Sequence, residues 1–236
     1  MRRSTVVCLL WLGACSGAPA AAQIAAPAPP GPYVVDVRGA IAALPQDAAI
    51  FPTVPTGTRL PSLVSGIEVG AHVYPIGLGS MRIGIGVSAL RVRGTASPAT
   101  LDSESTSTSS TTSTVATGPD VDATLTTIAP QLSLNFGSAQ GWSYLSAGVG
   151  RAHLTTGTSA FGGGQSGVAA TAAQSLDSGS RTSINVGGGA RWFAKAHLAF
   201  SFDVRLHLVS ASNTEAAVQG APKMTLLVAS VGVGLR

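Results

Sequence analysis

His197-Leu-Ala-Phe-Ser-Phe-Asp-Val-Arg-Leu-His-Leu-Val209 sets Leu198, Phe200, Phe202, Val204, Leu206 and Leu208 at every second position, with Ala199, Ser201, Asp203, Arg205 and His207 between them. In an extended chain successive side chains point to opposite faces, so this stretch has one wholly apolar face and one polar face. A helix would scatter both sets around its axis. The same period recurs in seven other segments. The predicted strands run Tyr33 to Ile41, Leu63 to Tyr74, Met81 to Arg93, Ala123 to Phe136, Trp142 to Leu154, Arg181 to Phe193, His197 to Ser210 and Lys223 to Arg236. Short connections (Pro75 to Ser80, Gly137 to Gly141, Ala194 to Ala196) alternate with long ones near residues 42–61, 94–122 and 155–180 and a moderate one at Ala211 to Pro222. An even number of strands, with tight turns on one side and loops on the other, predicts an all-β fold: an eight-stranded antiparallel transmembrane up-and-down β-barrel.

Each predicted strand divides into a lipid face and a lumen face. Val35, Val37 and Ile41 oppose Asp36 and Arg38; Ile67, Val69 and Val73 oppose Glu68 and His72; Ile83, Ile85 and Val87 oppose Arg82, Gly84 and Gly86. Arg91 and Arg93 then fall in the lipid-facing phase. They follow about nine residues of strand, roughly one bilayer crossing, which places them at the outer rim unless a bulge resets the phase. Pro130 is awkward in the fourth strand, because it cannot donate to a ladder. Phe136, Trp142, Tyr144, Trp192 and Phe193 lie beside the short turns, where an aromatic girdle is expected.

The chain begins with Arg2 and Arg3, an apolar run from Thr5 to Ala14 and the small-residue stretch Ala18-Pro-Ala-Ala-Ala-Gln23. This reads as a cleaved secretory leader over residues 1–22, followed by an Ala/Pro-rich segment at 23–32 and the barrel at 33–236. The apolar run falls well short of the ~20 residues that a spanning helix requires. Leu12-Gly13-Ala14-Cys15 also resembles a lipoprotein cleavage box, with Gly13 a weak fit. Both cysteines, Cys8 and Cys15, lie within the leader, so the mature chain is expected to hold no disulfide and no cysteine metal site. Only 10% of residues are charged, against 45% hydrophobic, and the mean hydropathy is +0.36. An apolar outer wall accounts for both. The formal charge falls from +4 to +2 once Arg2 and Arg3 leave, too weak and scattered for nucleic acid.

The lumen-facing polar set is Asp36, Arg38, Glu68, His72, Arg82, Arg191, Asp203, Arg205 and His207. Mixed charges in a narrow, low-dielectric interior pair with one another. They form either a selectivity or gating network or a structural ion-pair plug. Eight strands enclose room for little beyond side chains, which favours the plug. No catalytic or cofactor-binding residue is assigned: His153 and His207 have no nucleophile motif around them, and His72, His153, His197 and His207 lack metal-ligand spacing. The Ser/Thr run Ser103-Glu-Ser-Thr-Ser-Thr-Ser-Ser-Thr-Thr-Ser-Thr114 has no apolar periodicity. It suits either a solvated surface loop or a contact with a surface partner. The Gly162-Gly-Gly164 run lacks the strand-to-helix setting and Lys-Ser/Thr of a phosphate-binding loop.

The stretch Ile184-Asn-Val-Gly-Gly-Gly-Ala-Arg-Trp-Phe193, its turn and the following strand to Val209 resemble the penultimate hairpin of small outer-membrane barrels of the outer-membrane protein A and X type. There an inward glycine pair, an Arg-aromatic step, a short turn and an alternating strand ending in Asp-x-Arg recur. Val228-Ala-Ser-Val-Gly-Val-Gly-Leu-Arg236 resembles their terminal strand. The resemblance runs from about Tyr33 to Arg236 and includes no peptidoglycan-binding domain. It departs at Leu235-Arg236, where such barrels end on an aromatic residue that the assembly machinery recognises.

It implies export to the bacterial outer membrane. The implied partners are the lipid bilayer with its lipopolysaccharide and the barrel assembly machinery. The expected function is a structural or surface-interaction barrel with a mostly plugged lumen; the alternative is a narrow channel for small solutes or ions, a lipid-modifying enzyme is the weakest of the three readings, and no enzymatic activity is expected. The competing fold is a soluble lipocalin-like barrel, which requires apolar faces inward and Asp203, Arg205 and His207 in water.

Overall fold

The computed structural model describes residues 31–51, 54–55, 58–98, 118–161, 171–211 and 222–236. The leader, most of the Ala/Pro segment, the Ser/Thr run and the triple glycine lie outside them. Eight strands follow in order: β1 (Tyr33–Ala43), β2 (Leu63–Leu78), β3 (Met81–Ala96), β4 (Val121–Ser138), β5 (Gly141–Thr158), β6 (Gln174–Lys195), β7 (Leu198–Val209) and β8 (Met224–Leu235). Each pairs antiparallel with the next, and β1 also pairs with β8 through Val35 opposite Leu235 to Ala43 opposite Leu227, so the sheet closes. Closure gives every strand a partner on both sides and leaves no edge. Turns of two residues join β2 to β3, β4 to β5 and β6 to β7 at one end, hereafter the turn end; the long connections lie at the loop end.

The strands outrun the predicted spans most at the loop end, where β5 reaches Thr158 and β6 starts at Gln174. The loop expected over 155–180 therefore shrinks to 159–173. Thr155 to Thr158 and Gln174 to Ser180 carry no apolar alternation, although Thr156 and Thr158 are buried and backbone pairing continues through both segments. A bulge between His153 and Thr155 relieves the register, and Gly179 sits opposite it at φ +65°, a left-handed conformation that suits glycine.

Pro130 stays within β4, facing outward. The ladder to β3 runs unbroken through it, opposite Val87. That to β5 skips Ala129 and Pro130 and resumes in the same register, so the missing N–H interrupts one side only. The register shift between Val73 and Ile76 adds its extra residue to β2 and leaves the phase of β3 unchanged, so Arg91 and Arg93 remain outward-facing and exposed.

The two faces have opposite chemistry. Leu132 is 60% exposed and Val231 65%, in an outer wall of Val, Leu, Ile and Phe, whereas Arg38, Arg191 and Arg205 are each 1% exposed in the interior. This disposes of the lipocalin-like alternative. Among the described residues no helix is long and apolar enough to cross a membrane.

The interior is stacked in three storeys. Val34, Tyr74, Trp142 and Tyr144, with Phe193 against them, fill the turn end. Charged and amide side chains occupy the middle. At the loop end an apolar cluster includes Leu90, Val92, Leu125, Leu154, Leu226 and Val228 from the strands. Ile50 and Phe51 join it from the first loop, which turns inward through a single 3₁₀ turn, Ala48–Ile50, capped by the Asp47 carboxylate accepting from the Ala49 N–H at 2.9 Å.

Trp142 and Tyr144 correct the expected girdle. Both are 2% exposed and point inward, with Phe193 half-buried against Trp142, while Trp192 and Phe136 face outward. Their even numbers share the phase of Ser146 and Gly148, and the two-residue period outweighs any aromatic preference for the interface.

Candidate functional site

The middle storey joins all eight strands. Arg38 on β1 donates to Glu68 on β2 at 3.2 Å and to the Tyr144 hydroxyl on β5 at 2.8 Å. That hydroxyl in turn donates to Asp203 on β7 at 2.6 Å. Arg205, also on β7, donates to Asp203 through Nε at 3.2 Å and Nη2 at 2.9 Å, to Asn185 on β6 at 2.9 Å and to the Ser146 hydroxyl at 2.9 Å. Glu68 also accepts from Ser230 on β8 at 2.7 Å. Arg191 grips Asp36, its Nε lying 3.0 and 3.2 Å from the two carboxylate oxygens, and its guanidinium lies 4.1 Å from the centre of the Tyr144 ring. Tyr144 thus links both halves of the network by a hydroxyl and a ring face.

Three arginines meet three carboxylates, Asp36, Glu68 and Asp203, all within 2% exposure. The formal charges cancel, which is the condition for holding them out of water. His72 joins through Gln131 at 3.3 Å, and Gln131 donates to Ser88 and Asn185. Two residues of the expected set stand apart. Arg82 is half-buried near the turn end and donates to the Tyr74 carbonyl at 3.3 Å; His207 is buried beyond Arg205, beside the apolar cluster, and makes no ion pair among the described residues.

Two close approaches need glycine. A side chain at Gly86 would meet the His72 ring 2.3 Å away, and one at Gly189 would meet the Phe202 carbonyl at 2.0 Å and the Tyr144 hydroxyl at 2.7 Å. The inward glycines thereby leave room for the largest members of the network.

Sequence reasoning missed Tyr144, Gln131, Asn185, Ser146 and Ser230. Their inward phase was legible, but uncharged side chains announce no partner. It also missed Arg181, buried on β6 near the loop end. Its Nε donates to the Ser210 carbonyl at 2.6 Å and its Nη2 to that of Pro222, at the two ends of the connection between β7 and β8.

At the loop end, beyond the apolar rows of the outer wall, two exposed ion pairs cross neighbouring strands. Arg93 donates to Asp122 at 3.1 Å, with Thr95 donating at 2.7 Å; the Thr95 hydroxyl holds the Asp122 carboxyl below the usual carboxylate range. His153 pairs with Asp177, which the Gly179 N–H at 2.8 Å, first, and then His153 hold below that range. The partner of His153 is thus a carboxylate. Among the described residues no hydroxyl hydrogen-bonds to its ring, and no three His, Cys, Asp or Glu side chains are placed to hold a metal ion.

No protein-family model and no curated protein matches the chain. Solved structures resemble it at low identity. Ail, the attachment invasion locus protein of Yersinia pestis, is 13% identical over 86% of this chain and 96% of its own, with a TM-score of 0.48. Neisserial surface protein A is 12% identical over 87% and 97%, with a TM-score of 0.46. The outer membrane protein OprG of Pseudomonas aeruginosa is 11% identical over 89% and 97%, with a TM-score of 0.41. Likenesses at this level assign neither a family nor an activity.

Proposed function

We propose that the chain is an integral barrel of the bacterial outer membrane with a closed lumen, serving as a structural element or as a surface platform for its loops. The observation that carries this is the inversion of the two faces: an apolar outer wall around an interior whose arginines and carboxylates are locked to one another. A soluble protein gains nothing by exposing such a wall, whereas a bilayer matches it. The turn end faces the periplasm and the loop end the cell exterior, the usual disposition of short turns and long loops. Glu68, Asp203 and Arg205 are buried and paired at mid-height, and Ile50 and Phe51 pack into the apolar cluster toward the loop end. That packing supports a closed lumen, and the reading includes no catalytic step.

Planar-bilayer recording of the refolded protein tests the closed lumen. Insertion is established separately by the slower or faster migration of unboiled protein in electrophoresis. Inserted protein without steady unitary conductance is the expected outcome. Reproducible open levels from the unmodified chain would replace the closed barrel by a narrow channel, and failure to insert would remove the membrane reading itself.

A further inference from the structure

The outer wall is not uniform around the barrel. At the loop end, outward-facing cations occur on β3 and β5: Arg91, Arg93, Arg151 and His153. The outward rows of β7, β8, β1 and β2 carry no charged side chain among the described residues. Arg93 and His153 are matched by Asp122 and Asp177, but Arg91 and Arg151 have no hydrogen bond or ion pair among the described residues. The register brings these two together. Arg91 lies opposite Thr126 and Arg151 opposite Ile128, two residues further along the same intervening strand, β4. Two strand spacings and one two-residue step put their Cα atoms ~12 Å apart, so both guanidinium groups reach the surface above Thr126 and Ile128.

Beneath them the wall turns apolar at once, through Val87 on β3, Ile128 on β4 and Val149 on β5. Four residues below Arg151, ~13 Å along β5, Ala147 lines a groove of about 410 Å³ whose walls are Leu132, Leu134, Leu145 and Val186. A cationic pair above an apolar groove on one wall has the chemistry of a lipid site: guanidinium groups take phosphate, and the groove takes a hydrocarbon chain. The outward hydroxyls of Thr124, Thr126 and Thr182 in the same rows suit sugar hydroxyls.

We propose that this face, Arg91 and Arg151 above the β4–β6 groove, is a binding site for a phosphorylated glycolipid of the outer leaflet. The inference rests on the transmembrane reading and deepens it, because it gives the barrel a preferred lipid-facing side. The opposite wall carries no outward charge among the described residues.

The test uses the full mature chain refolded in nanodiscs, titrated with diphosphorylated lipid A, with its dephosphorylated form and with phosphatidylglycerol. Insertion is scored independently by heat-dependent migration. Binding of diphosphorylated lipid A is expected to saturate and to weaken about tenfold or more in the Arg91→Gln, Arg151→Gln double variant, while Lys223→Gln leaves it unchanged. Both replaced side chains are exposed, so the variants are expected to fold. Equal binding by the double variant, or equal binding of the dephosphorylated lipid, overturns the site while leaving the barrel intact. Equal binding of phosphatidylglycerol overturns its selectivity for glycolipid. A protein that does not insert overturns both readings together.

Discussion

The middle and the loop end of the interior are lined by inward residues of the same strands, yet one is held by charge and the other by apolar packing. On β1, Asp36 and Arg38 belong to the ion network, and Ala40 and Ala42, the next two inward positions, belong to the apolar cluster. On β8 the change falls between Ser230 and Val228. Facing inward therefore fixes that a side chain is out of water, not how it is satisfied. In the middle, each charge depends on a particular partner across the barrel. At the loop end, neighbours are exchangeable in kind, and shape matters more than identity.

Three variants break or sharpen this contrast. The largest effect is expected from Asp203→Ala, which leaves Arg205 and Arg38 facing too few carboxylates. Loss of one partner of a buried pair costs about 3–5 kcal/mol, read as a lower urea midpoint for the barrel refolded in vesicles. A loss below about 1 kcal/mol would show that the middle storey is hydrated and screened. At the loop end, Leu226→Ala removes apolar volume without orphaning a polar group. About 3 kcal/mol is expected from the same titration, with the conductance measurement still silent; unitary openings in that variant would make the apolar cluster the gate. The smallest effect is expected from the paired replacement Asp36→Leu with Arg191→Met. Replacing a whole buried ion pair by apolar side chains is commonly neutral or stabilising by about 1–4 kcal/mol. A loss as large as that of Asp203→Ala would show that Tyr144, which lies against Arg191, depends on the cation for its position.

The period of two makes the strands, their pairing order and the inward phase of the charged set legible in the sequence. His197 to Val209 illustrates why: its apolar and polar residues differ sharply, so the phase is unmistakable. The apolar cluster was hidden by the opposite condition. Around Leu226-Leu227-Val228 both faces are apolar, one toward the outer wall and one toward the core, and alternation in hydrophobicity vanishes although alternation in direction persists. The inward turn of Ile50 and Phe51 carries no periodic signal at all, since a loop declares its packing only through the space it fills. The site was legible as a list of charges and illegible as a set of pairs, because partners such as Asp36 and Arg191 lie far apart in sequence and meet only when the sheet closes. The hydroxyl of Tyr144 was the least visible part, masked by the habit of placing aromatics at the membrane interface.

Arg181 has a consequence of another kind. By holding the Ser210 and Pro222 carbonyls with one guanidinium, it fastens both stems of the final crossing from within the wall. The two stems are thereby anchored by one side chain of the wall. The β7–β8 crossing is a natural cassette: a foreign epitope grafted between Ala211 and Pro222 inherits a fixed pedestal, with its two ends already set at the spacing of neighbouring strands.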